Sequence, residues 1–199
     1  FKAVVSFATK TYYKRDFSVL LSEQTYNMET LSDKIEVSNI AAAGEKNIVV
    51  SDIIEISETK GEIKEILKSE AAMSTVDLKS INNKIITRGK SEIKILYLSD
   101  EEKLETIFAE IPFTQIIDLE GIDEECFTDL KYIINNFNCT SRENENGQSR
   151  QVSVDIDSTV HVRGYKNCSY NIAKDVYSTA YPCKCERKQM SVEKLNTQF

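Results

Sequence analysis

Apolar and polar residues alternate at a spacing of two along most of this chain. The clearest run is KIITRGKSEIKILYLSD, in which Ile93, Ile95 and Tyr97 lie on one side and Glu92 and Lys94 on the other. A period of two is typical of half-buried β-strands. The pattern predicts an all-β fold, mostly antiparallel and sandwich-like. The alternation returns after residue 150 at Val152, Val154, Ile156, Val160, Val162, Tyr170 and Ile172.

The N-terminal part continues this pattern. Residues 5–21 predict two strands joined by a turn at residues 14–16. A further strand is expected within residues 45–60, where Ile48, Val49 and Val50 are consecutive, as in a strand buried on both faces.

One segment departs from the period of two. In GEIKEILKS, the residues Ile63, Ile66 and Leu67 have helical spacing. The sequence therefore predicts one short helix near residues 61–68.

Several segments carry turn or edge signals. An offset at Val76 interrupts the following strand, and Asn82-Asn83 favours a turn because Asn tolerates left-handed backbone angles. Pro112 lacks a backbone donor, which predicts an edge strand or a bulge. Loops are expected at SDEEKLE and SRENENGQSR, whereas IDEECFTDLKYIINNFNC is compatible with a helical turn and with a strand.

A weak internal repeat is visible at an offset of 151 residues. This register aligns Tyr26 with Tyr177 and preserves the inward and outward parity of the strands. It predicts that residues 1–40 are the last strands of a first module and that residues 41–199 are a second, nearly complete copy. The alternative is that any two alternating strand pairs can be slid into register.

The central residues carry a family resemblance. Lys94-Ile95-Leu96-Tyr97-Leu98, an acidic turn and then Glu110-Ile111-Pro112-Phe113-Thr114-Gln115 resemble the signature of the SPOCS domain, the module of clostridial spore morphogenesis proteins such as SipL. The resemblance covers about residues 45–190 and is most specific at residues 84–120. GEIKEILK matches the family's short helix, DVYSTAYPCKCE its closing turn, and the family's Gly-rich loop is reduced to Gly89. The signature residues are Tyr97, Glu110, Pro112, Phe113 and Gln115.

The resemblance implies a structural protein of an endospore outer layer, coat or exosporium, made in the mother-cell cytoplasm. We expect it to self-assemble with copies of itself and with other spore proteins, for which exposed edges such as the Pro112 strand are natural contacts. The alternative is a binding module that recruits one coat morphogenesis partner.

Charge and hydropathy exclude some partners. With 25 Lys and Arg against 32 Asp and Glu among 199 residues, the net charge is −7, which argues against nucleic acid and anionic membranes. No apolar run approaches the roughly 20 residues of a spanning helix. Because the chain starts at Phe1 without Met, we expect an internal or processed start.

Five cysteines lie in the second half of the chain. An odd number leaves at least one thiol without an internal partner. The spacing of Cys183 and Cys185 disfavours zinc, and these two, with Cys168, are the candidates for intermolecular disulfides. The tail that carries Cys183 and Cys185 could equally remain flexible with free thiols. Cys126 and Cys139 are as well explained as small buried hydrophobes.

No catalytic residue, cofactor or metal is assigned. His161 is the only histidine and is expected to face solvent between Val160 and Val162. The acidic residues 118–125 lack the layout of a calcium loop. A hydrolase is the third interpretation, with no motif in its support.

Overall fold

A computed structural model describes Val4 and residues 27–182. It confirms the all-β prediction, and the described residues contain strands, turns and loops but no helix. The six strands are β1 (Glu29–Glu55), β2 (Ile63–Ile81), β3 (Lys84–Ser99), β4 (Leu104–Asp118), β5 (Phe127–Arg142) and β6 (Gln151–Tyr177).

The strands form two three-stranded antiparallel sheets, in the orders β1-β6-β5 and β2-β3-β4. Chain contacts divide the described residues into two compact units. The larger unit, residues 38–168, contains β2 to β5 and most of β1 and β6. The smaller unit includes residues 27–37 and 169–182, which contain the start of β1 and the end of β6.

The core of the larger unit lies between the inner faces of the two sheets. In β3, Ile93, Ile95 and Tyr97 are almost fully buried, and in β6 the same holds for Val154 and Ile156. Each fully buried side chain of this size contributes about 1.5–3 kcal/mol relative to an exposed one. The predicted alternation of β3 and β6 is therefore confirmed, because each strand covers the core with one face.

The short helix predicted near residues 61–68 is wrong, because this segment is the start of β2. Two irregularities in the pairing with β3, one between Ile63 and Glu65 and one between Ile66 and Lys68, each insert an extra residue. A bulge of this kind shifts the inward parity by one position. Ile63 and Ile66 therefore both face the core, whereas Leu67 is 47% exposed.

The expectation that β1 is buried on both faces is also wrong. Ile48 and Val50 are buried, but Val49 between them is 63% exposed. β1 covers the core with one face only, and Val49 is an apolar residue on the outer face.

The turn and edge predictions are confirmed. Asn83 has a φ of 57°, and its backbone bonds to the backbone of Leu119 and Ile122. The offset at Val76 is a further pairing irregularity in β2. Pro112 lies on β4, which is an edge strand of its sheet. Residues 127–142 are a strand preceded by a turn, and residues 143–150 connect β5 to β6 as a loop.

Some predictions fall outside the described residues. These are the two strands of residues 5–21, most of the first module copy with the internal repeat that depends on it, and the positions of Cys183 and Cys185. In the described part of the chain, no helix is long and apolar enough to cross a membrane.

Candidate functional site

Tyr97, the tyrosine of the signature, is fully buried at one end of the larger unit. Its hydroxyl lies 3.2 Å from the carbonyl oxygen of Gly61 and 3.2 Å from Oε2 of Glu105, so it can donate its proton to either acceptor. Burial, and next the negative charge of Glu105, raise the pKa of Tyr97 to about 12. The hydroxyl therefore remains protonated and acts as a hydrogen-bond donor at neutral pH.

The contacts of Tyr97 extend into a network that joins two loops to strands β3 and β4. Oε1 of Glu105 accepts a bond from the backbone N–H of Gly61 at 3.1 Å. Arg150 donates to the carbonyl of Lys60 at 2.8 Å, and Glu62 accepts from the N–H of Ser149 at 3.2 Å. Because the loops after β1 and β5 are joined here to Tyr97 of β3 and Glu105 of β4, the network fastens the two sheets together at this end. We call Tyr97, Lys60, Gly61, Glu62, Glu105 and Arg150 the Tyr97 network.

Phe113 forms a second contact between the two sheets. Its ring meets Tyr132 of β5 edge to face, with centroids 5.6 Å apart and an interplanar angle of 79°. The Tyr132 hydroxyl lies 3.0 Å from Oγ1 of Thr87. Gly89 lies inside β3 rather than in a loop, and a β-carbon there would overlap the Phe113 ring. Both Phe113 and Gly89 therefore serve packing.

The other signature residues point in different directions. Glu110 and Pro112 lie exposed on the outer face of β4, where Lys90 contacts Glu110 at 2.7 Å and Glu92 at 2.8 Å. Hydrogen bonds to these two carboxylates raise the pKa of Lys90. Gln115 is half-buried and pairs in register with Thr87. The five signature residues thus do not converge on one cleft.

An exposed apolar stripe runs along the same face of β4. Leu104, Phe108 and Ile116 are 66%, 73% and 50% exposed, and Pro112 lies between the last two. The ammonium of Lys94 lies 5.4 Å from the centre of the Phe108 ring. We call Leu104, Phe108, Pro112 and Ile116 the β4 stripe. Sequence reasoning missed it, although the even spacing of these residues with Glu110 was a signal that they share the outer face.

The thiols of the described residues are separate. Cys126 is buried and donates to Oδ1 of Asp123 at 3.1 Å, while Cys139 and Cys168 are half-buried. All three are free, and burial raises the pKa of Cys126 and raises that of Cys139 to about 11. Cys126 and Cys139 therefore fit the interpretation as small core residues, with protonated thiols of low reactivity at neutral pH.

His161 and the acidic residues take part in surface ion pairs. Nδ1 of the half-exposed His161 lies 3.4 Å from Glu45, in agreement with the expected outward position. Asp123 and Glu125 both contact Lys166, at 2.5 and 3.0 Å. Within residues 27–182, no group of three or more potential ligands is placed to hold a metal ion.

Comparison with known protein families gives one match. The family model described as "SipL, SPOCS domain" matches residues 62–142, which include all of β2 to β5 and every residue of the signature. The match contains the specific part, residues 84–120, but is shorter than the range of 45–190 that the motifs indicated. Neither the curated proteins nor the solved structures gave a match. Residues 62–142 are therefore similar to the SPOCS domain, which indicates a connection with sporulation.

Proposed function

We propose that this protein is a non-enzymatic structural component of an endospore outer layer, coat or exosporium, and that it self-assembles through its β modules. The observation that carries the proposal is the structural role of the residues in the family signature. Tyr97 and Phe113 hold the two sheets together, and the outward residues of the signature lie on a flat strand rather than in a cleft. Residues used in this way support a scaffold.

The β4 stripe is the surface that we propose for contact with a second copy. Exposed apolar side chains on a regular sheet are typical of interaction sites when they lie close together. Charged residues of both signs lie beside the stripe. Lys94 pairs in register with Glu70 and Phe108, whereas Glu92 in the neighbouring row pairs with Ala72 and Glu110. A second copy related by a two-fold axis can place each charge opposite one of the other sign.

Sedimentation velocity over a series of protein concentrations tests this contact. We expect the full chain to form larger species as its concentration rises, and the double variant Leu104→Ser, Phe108→Ser to remain monomeric. Val49→Ser is the matched control, because Val49 is equally exposed on the outer face of the other sheet. If the double variant associates as the wild type does, the stripe is not the contact.

A monomer at every concentration would instead contradict self-assembly. It would leave the alternative function, the recruitment of a coat morphogenesis partner. A partner that binds the wild type but not the double variant would then assign the same stripe to that function.

We further propose that intermolecular disulfides reinforce the assembly through Cys168, Cys183 and Cys185. Cys168 is half-buried and therefore partly accessible. Burial raises the pKa of Cys126 and raises that of Cys139 to about 11, which lowers the reactivity of these two thiols. Disulfides persist at a spore surface because they form and survive in oxidising surroundings.

Non-reducing gel electrophoresis of native material tests the disulfides. We expect ladders that collapse with a reductant and disappear in the double variant Cys183→Ser, Cys185→Ser. Cys139→Ser is the control and should leave the ladders unchanged. A single monomer band without reductant would contradict the disulfides and leave the proposed scaffold function intact.

A further inference from the structure

β4 has a free edge in the described sheet, since β3 is its only neighbour there. In an antiparallel pair, alternate residues direct their N–H and C=O groups to the partner strand, and the others direct them away from it. The hairpin bond from the N–H of Ser99 to the carbonyl of Lys103 starts this pattern. It places the even-numbered residues of β4, from Thr106 to Asp118, on the free edge.

Two lysine side chains bind the carbonyls of this edge, one near each end. The ammonium of Lys60, from the turn after β1, bonds to the carbonyl of Thr106. The ammonium of Lys46, from β1, donates to the carbonyl of Ile116 at 2.6 Å. Neither lysine belongs to β4 or β3, so both reach the edge from outside the sheet. An incoming strand would have to displace both ammonium groups to bond to these carbonyls.

Pro112 lies between the two lysines, at one of the edge positions. Its nitrogen carries no hydrogen, so the free edge lacks a donor near its middle. An incoming strand would leave its own carbonyl unsatisfied there, and an unmade backbone bond is costly once water is excluded. Lysine and proline on exposed edges are devices by which natural sheets avoid pairing with other chains.

We infer that Lys46, Lys60 and Pro112 together close the β4 edge to strand addition. Copies of the chain then meet through side chains and not by continuing the sheet across β4. This corrects the expectation that the Pro112 strand is a natural place for another chain to add. The inference holds whether or not the protein self-assembles, because it concerns only the backbone groups of this edge.

Amide hydrogen exchange at increasing protein concentration tests the inference in the full chain. The relevant donors are the edge N–H groups of Phe108, Glu110 and Thr114. In the wild type we expect these amides to exchange rapidly at every concentration. The triple variant Lys46→Ser, Lys60→Ser, Pro112→Val has a backbone N–H at residue 112. In this variant, no lysine occupies the carbonyls of Thr106 and Ile116. We expect exchange at these amides to slow by at least about tenfold as the concentration rises, with a dimer or larger species appearing.

The double variant Lys64→Ser, Lys103→Ser is the matched control. It removes two lysines whose partners are the acidic side chains Glu102 and Glu101, and it should behave as the wild type does. The amide of the buried Ile95 reports whether each variant remains folded. If the triple variant unfolds, Pro112→Val alone leaves the Tyr97 network intact and provides the same readout.

Two results would overturn the inference. Concentration-dependent protection of the Glu110 and Thr114 amides that persists in the Leu104→Ser, Phe108→Ser variant, which lacks the stripe contact, would show that the edge already pairs. Rapid exchange in a folded triple variant, or in Pro112→Val when the triple variant unfolds, would show that these residues are not what keeps it closed.

Discussion

Gly89 shows how closely β3 approaches its neighbours. A β-carbon at this position would overlap the ring of Phe113 and lie 2.7 Å from the carbonyl oxygen of Ser74, which belongs to the backbone of β2. The ring is held against Tyr132 and the carbonyl is held by the sheet, so neither can move freely. The absence of a side chain at Gly89 therefore allows the signature phenylalanine to pack.

We expect Gly89→Ala to destabilise the protein by about 1–3 kcal/mol, the usual cost of overpacking a core. Urea denaturation followed by circular dichroism measures it. Gly44→Ala is the matched control, because a β-carbon there meets only the end of the flexible Leu119 side chain, and its cost should be much smaller. Equal costs for the two variants would contradict the packing role of Gly89.

Tyr97 gives a prediction at alkaline pH. Its pKa is about 12 in the folded protein and about 10 in the unfolded chain, so the folded state retains the proton longer. The resulting stability is fully present below about pH 10 and is lost as the pH rises through about 12. The loss amounts to roughly 2–3 kcal/mol for a shift of this size.

The variant Tyr97→Phe isolates this contribution. It loses the hydroxyl bonds, about 1 kcal/mol at neutral pH, but its free energy of unfolding should fall less between about pH 10 and 12. Urea denaturation over this pH range measures both effects, with the exposed Tyr177→Phe as the control. Identical alkaline profiles for Tyr97→Phe and the wild type would contradict the proposed burial of the hydroxyl.

At the scale of the elements, β2 shows where sequence patterns mislead. The bulge between Ile63 and Glu65 places Ile63 and Ile66 on the inner face at a spacing of three, which is also the spacing of a helical face. In a helix Leu67 would share that face, whereas in the bulged strand it is largely exposed.

This difference can be measured by substitution. We expect Ile63→Ala to cost about 2–5 kcal/mol because it leaves a cavity in the core. Leu67→Ala should cost less than about 0.5 kcal/mol, as is usual at an exposed position. Thermal or urea denaturation gives both values, and a large cost at Leu67 would favour the helix.

The strands with one buried face were predictable from sequence. In β3 and β6, each inward position is apolar or carries a small polar group, so a period of two is visible without any knowledge of the partner strand. Val49 in β1 was misassigned because an exposed apolar residue between two buried ones looks the same as a strand buried on both sides.

The site was less predictable than the strands. The Tyr97 network joins Gly61, Glu105 and Arg150, which are far apart in sequence, and only the folding of the sheets brings these three residues together. The contacts of the lysines that bind the β4 edge were not predictable either, since nothing near Lys46 in the sequence indicates a contact with Ile116. Phe108 could have been placed on the outer face by its parity, and Pro112 on the same strand already indicated an edge strand or a bulge.

At the scale of the whole molecule, the larger unit is a sandwich fastened at three places. The Tyr97 network joins the loops at one end, and the Asn83 turn bonds to residues 119–122 elsewhere in the unit. Phe113 and Tyr132 hold the sheets together between their ends. Such a unit can present the β4 stripe as a rigid surface, which a structural role requires.

Electron microscopy of the purified full chain at high concentration tests the proposed structural role most directly. We predict ordered sheets or filaments, and we predict that the double variant Leu104→Ser, Phe108→Ser gives isolated particles under the same conditions. Monodisperse single monomers of the wild type up to the highest attainable concentration would contradict the account.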